Sequence, residues 1–201
     1  FVHDTQSINR FQIVSFFLLF AYTVPGRYAM GNLKRNLTAG FFFVAVAGTL
    51  WHFIYSWTGC NRLIGYIAPV NESTYEHMKL LFFPALFYLP AGHWYLKENY
   101  PSFTESFACG ILTGTWSIPV FFYSYSGILG KNINWIDIAI FYIAVLITFC
   151  ITYRLTNSGR EHSRFWIWLL LIMAVSFFYF TYHPADLGIF NLPSLECLFQ
   201  L

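Results

Sequence analysis

Charge is scarce in this chain. Eleven Lys and Arg and nine Asp and Glu are spread over 201 residues, a charged share of 10% with a net charge of +2. No run of basic residues occurs, which argues against nucleic acid as a partner and against a polybasic lipid-binding patch. The four cysteines, Cys60, Cys109, Cys150 and Cys197, are scattered and form no C-x-x-C pair. Neither thiol–disulfide chemistry nor a thiolate zinc site is therefore expected.

What is abundant is apolar surface: 57% of residues are hydrophobic and 22% aromatic. A spanning helix needs ~20 mainly apolar residues to cross ~30 Å of hydrocarbon. Five segments meet that test, 38–57, 74–96, 103–126, 134–153 and 165–183, and a weaker, shorter one lies at 11–24. The fold class expected is all-α, a polytopic transmembrane bundle of five strong spans plus that sixth short N-terminal one. Breakers such as Thr58-Gly-Cys-Asn, Asn99-Tyr-Pro-Ser and Asn157-Ser-Gly separate the spans. Pro84, Pro90 and Pro119 fall inside them, where a missing backbone donor favours a kink.

The two ends read differently from the middle. Leu195-Glu-Cys-Leu-Phe-Gln200 resembles a viral 3C-protease cleavage sequence, and Ala29-Met30-Gly31 has the form of a start-codon cloning junction. Residues 1–29 are accordingly expected to be a leader or fusion segment, 30–193 a single membrane domain and 194–201 a cleavage-tag remnant.

Lys and Arg excess marks the cytoplasmic side of a membrane protein. Arg27, Lys34, Arg35, Lys97, Arg154, Arg160 and Arg164 fall on one set of alternating loops, and Arg10, Arg62 and Lys131 on the other, seven against three. The expected location is a cell membrane, with Met30 cytoplasmic and the 60–69 loop and the C-terminal end outside. Trp51, Trp57, Trp94, Trp135 and Trp166 lie near span ends, as interfacial aromatics do.

In so apolar a chain, ionisable groups within or beside a span need a reason, since a charge at mid-bilayer costs at least ~2.5–3.5 kcal/mol. They concentrate in Pro69-Val-Asn-Glu-Ser-Thr-Tyr-Glu-His-Met-Lys79. Topology brings His52, His77 and His183 from three spans towards the same outer leaflet. His52, His77 and His183 are candidate ligands for a divalent metal such as zinc, with Glu72 or Glu76 as general base on a metal-bound water. Asn71, Ser73 and Lys79 are candidate binding residues. A plainer reading stands beside this one. Ser73-Thr-Tyr-Glu76 is a capping box, in which Ser73 accepts from the Glu76 amide and Glu76 reaches back to the Ser73 amide. Lys79 can then pair with Glu76 at i,i+3.

Known intramembrane hydrolase signatures fail. There is no H-E-x-x-H, and Ser124-Tyr-Ser-Gly127 lacks the first Gly of a rhomboid-type G-x-S-G. Ser73-x-x-x-His77 bears only an analogy to the seven-span zinc hydrolases of the ceramidase and adiponectin-receptor superfamily, which have more spans and a paired C-terminal His motif. A fuller resemblance is carried by Leu33-Lys-Arg-Asn-Leu, Gly48-Thr-Leu-Trp-His52-Phe-Ile-Tyr and Pro69-Val-Asn-Glu-Ser-x-x-Glu-His-x-Lys79-Leu-Leu-Phe-Phe-Pro84. Over most of 30–193 the chain resembles a family of small bacterial multi-span membrane proteins of unknown function. That resemblance implies a helical multi-span fold and no reaction. Three functions compete: a metal-assisted hydrolase or transferase on a lipid-like substrate, a non-catalytic membrane protein, and a small transporter or proton-coupled carrier. Membrane lipid is the expected partner, and an oligomer is compatible with all three.

Overall fold

The computed structural model describes residues 33–159 and 163–191. Those residues form six α-helices and no strand: α1 (Leu33–Trp57), the short α2 (Arg62–Gly65), α3 (Thr74–Leu96), α4 (Phe103–Leu129), α5 (Asn134–Asn157) and α6 (Phe165–Phe180), followed by a 3-10 turn at Gly188–Phe190. The expected segment 11–24 lies outside the described residues, as do Arg160, Cys197 and the whole of 194–201.

Three of the helices, α1, α4 and α5, are long and apolar enough to cross a membrane, not the five that residue counting suggests. The two shortfalls have different causes. At 23 residues α3 is long enough, but Glu76, Lys79, His77 and two prolines dilute its apolar content. The run through α6 is apolar throughout but stops at Phe180 rather than His183, leaving 16 helical residues, or ~24 Å of rise. A residue before proline is biased away from helical backbone, and His183 precedes Pro184.

Neighbouring long helices run antiparallel. The start of α1 meets the end of α3, where the Tyr88 hydroxyl donates to the Asn36 carbonyl at 2.8 Å and Arg35 donates to the Tyr95 hydroxyl at 2.8 Å. α3 packs on α1 and α4, α5 on α4 and α1, so these four helices close a ring, and α6 leans on α4. Between α4 and α5 the contact is backbone-close. A Cβ at Gly110 or Gly114 would collide with the side chains of Thr152 or Thr148, and at Gly114 it would lie 2.8 Å from the Ala144 carbonyl. Small residues four apart allow such an approach, and the close contact adds van der Waals attraction between the two backbones. Gly110-x-x-x-Gly114 is this pattern.

Large apolar side chains remain on the outside, among them Phe42, Val120, Ile172 and Val175, the last 65% exposed. α3 is the reverse. Met78, Leu81, Phe82, Phe83 and Ala85 are almost wholly buried, so the polar motif sits at the mouth of the most enclosed helix.

Candidate functional site

Antiparallel packing gathers the end of α1, the start of α3, the end of α4, the start of α5 and the end of α6 at one end of the bundle. The segment joining α1 to α3 lies over this end. It turns sharply at Gly59 and Cys60, whose φ values are +68° and +57°. It is then tied down by Trp51, whose indole N–H donates to the Ile67 carbonyl at 2.8 Å. Trp51 is thus buried and structural, not an interfacial aromatic, because the loop folds back within reach of its indole.

α3 begins at Thr74 with Ser73 as its N-cap, the Ser73 hydroxyl accepting from the Glu76 amide at 3.4 Å. Only this half of the expected capping box forms. The Ser73 amide donates to the Asn71 side-chain oxygen at 2.9 Å, and the Glu76 carboxylate accepts from the Val70 amide at 3.0 Å. Glu76 is drawn elsewhere because Lys79, one turn on, is completely buried beside it. The ammonium donates to Glu76 Oε2 at 2.7 Å, to Thr181 Oγ1 at 2.6 Å and to the Gly65 carbonyl at 3.0 Å. Three donors meet three acceptors, which is the full capacity of a lysine head group. This cluster fastens α2 and the end of α6 to α3.

The imidazoles face a different direction, since adjacent helical residues point ~100° apart. His77 and His52, from α3 and α1, lie with ring centroids 5.6 Å apart. Glu72, in the loop just before the cap, inserts its carboxylate between them. Its Oε2 is 3.3 Å from His77 Nε2 and its Oε1 is 3.7 Å from His52 Nε2. One nitrogen or oxygen from each of the three residues lies within 4.8 Å of the others. Three ligands around a tetrahedral zinc, at 2.0–2.2 Å from it, are ~3.4 Å apart, so closure needs side-chain movements of about 1 Å.

His77 is pre-oriented for such a role. Its Nδ1 lies 3.0 Å from the Ser73 carbonyl; with Nδ1–H donating there, Nε2 donates to Glu72 only when the ring is protonated, and in the neutral ring Nε2 offers its lone pair to a metal. A ring-to-carbonyl hydrogen bond of this kind fixes the tautomer of metal-ligating histidines. The hydrogen bond with His77 holds the Glu72 carboxyl below the usual carboxylate range, against burial, and the charges of both histidines act in the same direction. Both imidazole side chains are about a third exposed and Glu72 is 57% exposed, so the cluster opens to solvent.

The sequence-expected residues therefore divide. His52, Glu72 and His77 come together; Glu76, with Lys79, belongs to the buried cluster; Ser73 and Asn71 shape the helix entry. His183 joins neither. It is exposed, stacked on Tyr179 at 5.1 Å, with Nδ1 3.3 Å from the Tyr179 carbonyl, because the chain leaves the helix before reaching it. Residue reading missed Thr181 and the Gly65 carbonyl as partners of Lys79, since neither contact has a local sequence signal. It also missed the Tyr125–Asp137 hydrogen bond, which links the end of α4 to the start of α5.

A family profile described as "Family of unknown function (DUF6512)" matches residues 27–194. No curated protein and no solved structure matches the chain significantly.

Proposed function

The chain belongs to this family of unknown function, and we propose that it is a multi-span membrane protein carrying a divalent-metal centre on its outer face. One observation carries the reading: two imidazoles and a carboxylate, from α1, α3 and the loop between them, present ligand atoms within 4.8 Å of one another. Two His and one Glu suit zinc, and three protein ligands leave a fourth position for water or an exogenous ligand.

Membrane insertion is supported by the three long apolar helices and by the apolar exterior. α3 completes a span because its lysine and glutamate neutralise each other inside the protein, and α6 is the shortest of five. The seven-to-three Lys and Arg asymmetry supports an outer position for the 60–69 loop and the centre beneath it.

Metal binding is favoured over proton relay because Glu76 and Lys79 already satisfy each other. A second reading, a Lewis-acid hydrolase or transferase on an amphiphile, is favoured by the exposure of Glu72, which leaves room for a substrate beside the metal. Glu72 then serves as ligand, and no second carboxylate of the motif is left as base.

Protein purified in detergent and dialysed against trace zinc is expected to retain a single zinc. His52→Ala and His77→Ala should each weaken zinc affinity by more than about 100-fold, beyond the loss typical of an outer-shell change, whereas His183→Ala should not. A membrane-impermeant chelator added to intact cells should strip the metal. Wild-type protein without zinc, or occupancy indifferent to His52 and His77, would overturn the proposal; metal accessible only after lysis would reverse its orientation.

A further inference from the structure

A cavity of about 830 Å³ lies away from the histidines, between α4 and α6. One wall runs from Leu112 to Val120 and the other from Trp166 to Phe180. The second wall covers 14 residue steps, or ~21 Å of helix. The chain after α6 folds across one end. Phe190 packs on Tyr75 at 4.5 Å and on Phe180 at 5.4 Å, and the Tyr123 hydroxyl donates to the Gly188 carbonyl at 2.9 Å. Leu187 and Ile189 of this strap line the cavity.

The lining is apolar apart from four hydroxyls, whose protons are all donated inside the protein, and the indole N–H groups of Trp116 and Trp166. Tyr75 donates to Ser176 at 3.1 Å and Ser176 to the Met173 carbonyl at 2.7 Å. Thr113 donates to the Cys109 carbonyl at 2.8 Å and Ser117 to the Gly114 carbonyl at 2.6 Å. Water needs two to four polar partners to settle in a cavity; here it would find only two indole N–H donors and the residual acceptor capacity of hydroxyl oxygens, on an otherwise apolar lining. A dry void of this volume is disfavoured as well, because the penalty grows with the space left unfilled. Hydrocarbon suits such a lining better than either. The shape is elongated along the helices, and one leaflet of a ~30 Å hydrocarbon core is ~15 Å deep, the reach of a single acyl chain. The strap roofs the end beside Tyr75, so entry is from the side, where Trp116 and Ile172 are 53% and 63% exposed.

We infer that this cavity is a binding site for one acyl chain of a membrane phospholipid. The inference rests on the membrane reading of the chain and is independent of the metal centre. Affinity comes from aromatic and aliphatic packing around the chain, since transfer out of the bilayer adds no hydrophobic gain.

Native mass spectrometry of the full chain, after exchange into a lipid-free mild detergent, tests it. Wild type should keep one phospholipid that annular lipid does not match in persistence. Ser117→Phe and Leu112→Trp, which fill the cavity from α4, should lose it, while Ser117→Thr should retain it. Equal retention in filled and wild-type protein would show annular lipid only and overturn the site, provided the filled variants keep wild-type helicity. No retained lipid, a fatty-acid mass alone, or a dimer mass in place of the lipid would each overturn it too. Recovery of the chain in the soluble fraction would instead sink the membrane reading beneath it.

Discussion

Replacing Lys79 with Met should destabilise the protein by about 3–5 kcal/mol, the usual result of removing one partner from a buried ion pair. Lys79 is fully buried and Glu76 is 2% exposed, so the variant leaves a carboxylate in the protein interior without its cation, held by the Val70 amide. It also leaves Thr181 and the Gly65 carbonyl without the ammonium that joins them. The double variant Lys79→Met, Glu76→Gln should recover much of the loss, because no buried charge is then unpaired. Unfolding in denaturant at fixed detergent concentration measures both. A single-variant cost under about 1 kcal/mol, the scale of an exposed pair, would mean that water reaches the cluster.

The second large effect is expected at the contact of α4 and α5. Gly114→Leu should cost more than the 1–3 kcal/mol typical of overpacking. Its Cβ meets the Ala144 carbonyl at 2.8 Å, and backbone cannot rotate away as a side chain can. Gly110→Leu should behave alike, since its Cβ would lie 2.6 Å from the Thr148 carbonyl. Gly127, near the end of the same helix, has nothing within 4 Å of its Cβ position. Gly127→Ala should therefore be neutral or stabilising by up to about 1 kcal/mol, because it removes only glycine's entropic penalty. Thermal unfolding of the three variants separates close packing from a general effect of losing helical glycines. Similar values at all three positions would contradict it.

Some of this architecture is readable residue by residue. The limits of α3 coincide with the expected 74–96 because Ser73 caps its start and Asn99-Tyr-Pro breaks the chain soon after its end. The i,i+3 pairing of Glu76 with Lys79 is likewise a local property of a helix. The meeting of His52 with His77 follows from antiparallel α1 and α3 at matching depths. What residue order hides is direction. Glu76 and His77 are neighbours in sequence, yet the helix turns one towards Lys79 and Thr181 and the other towards α1, so one motif becomes two clusters. Glu72 is separated from Glu76 by a single turn's worth of residues, but lies outside the helix and bends back to the imidazoles. The loss of His183 has a backbone cause, the early end of α6 before Pro184. The close contact at Gly110 and Gly114 is not singled out by residue reading, because the meaning of G-x-x-x-G depends on which helix it faces.

The centre formed by His52, Glu72 and His77 is tested most directly by the zinc K-edge absorption fine structure of the reconstituted protein. Two nitrogen neighbours at about 2.0–2.1 Å with imidazole outer-shell scattering, and oxygen at about 2.0–2.2 Å, are expected. The imidazole component should halve in His52→Ala or His77→Ala protein that still holds some metal. Sulfur at about 2.3 Å, or a shell of oxygen alone, would place the zinc elsewhere and contradict the assignment.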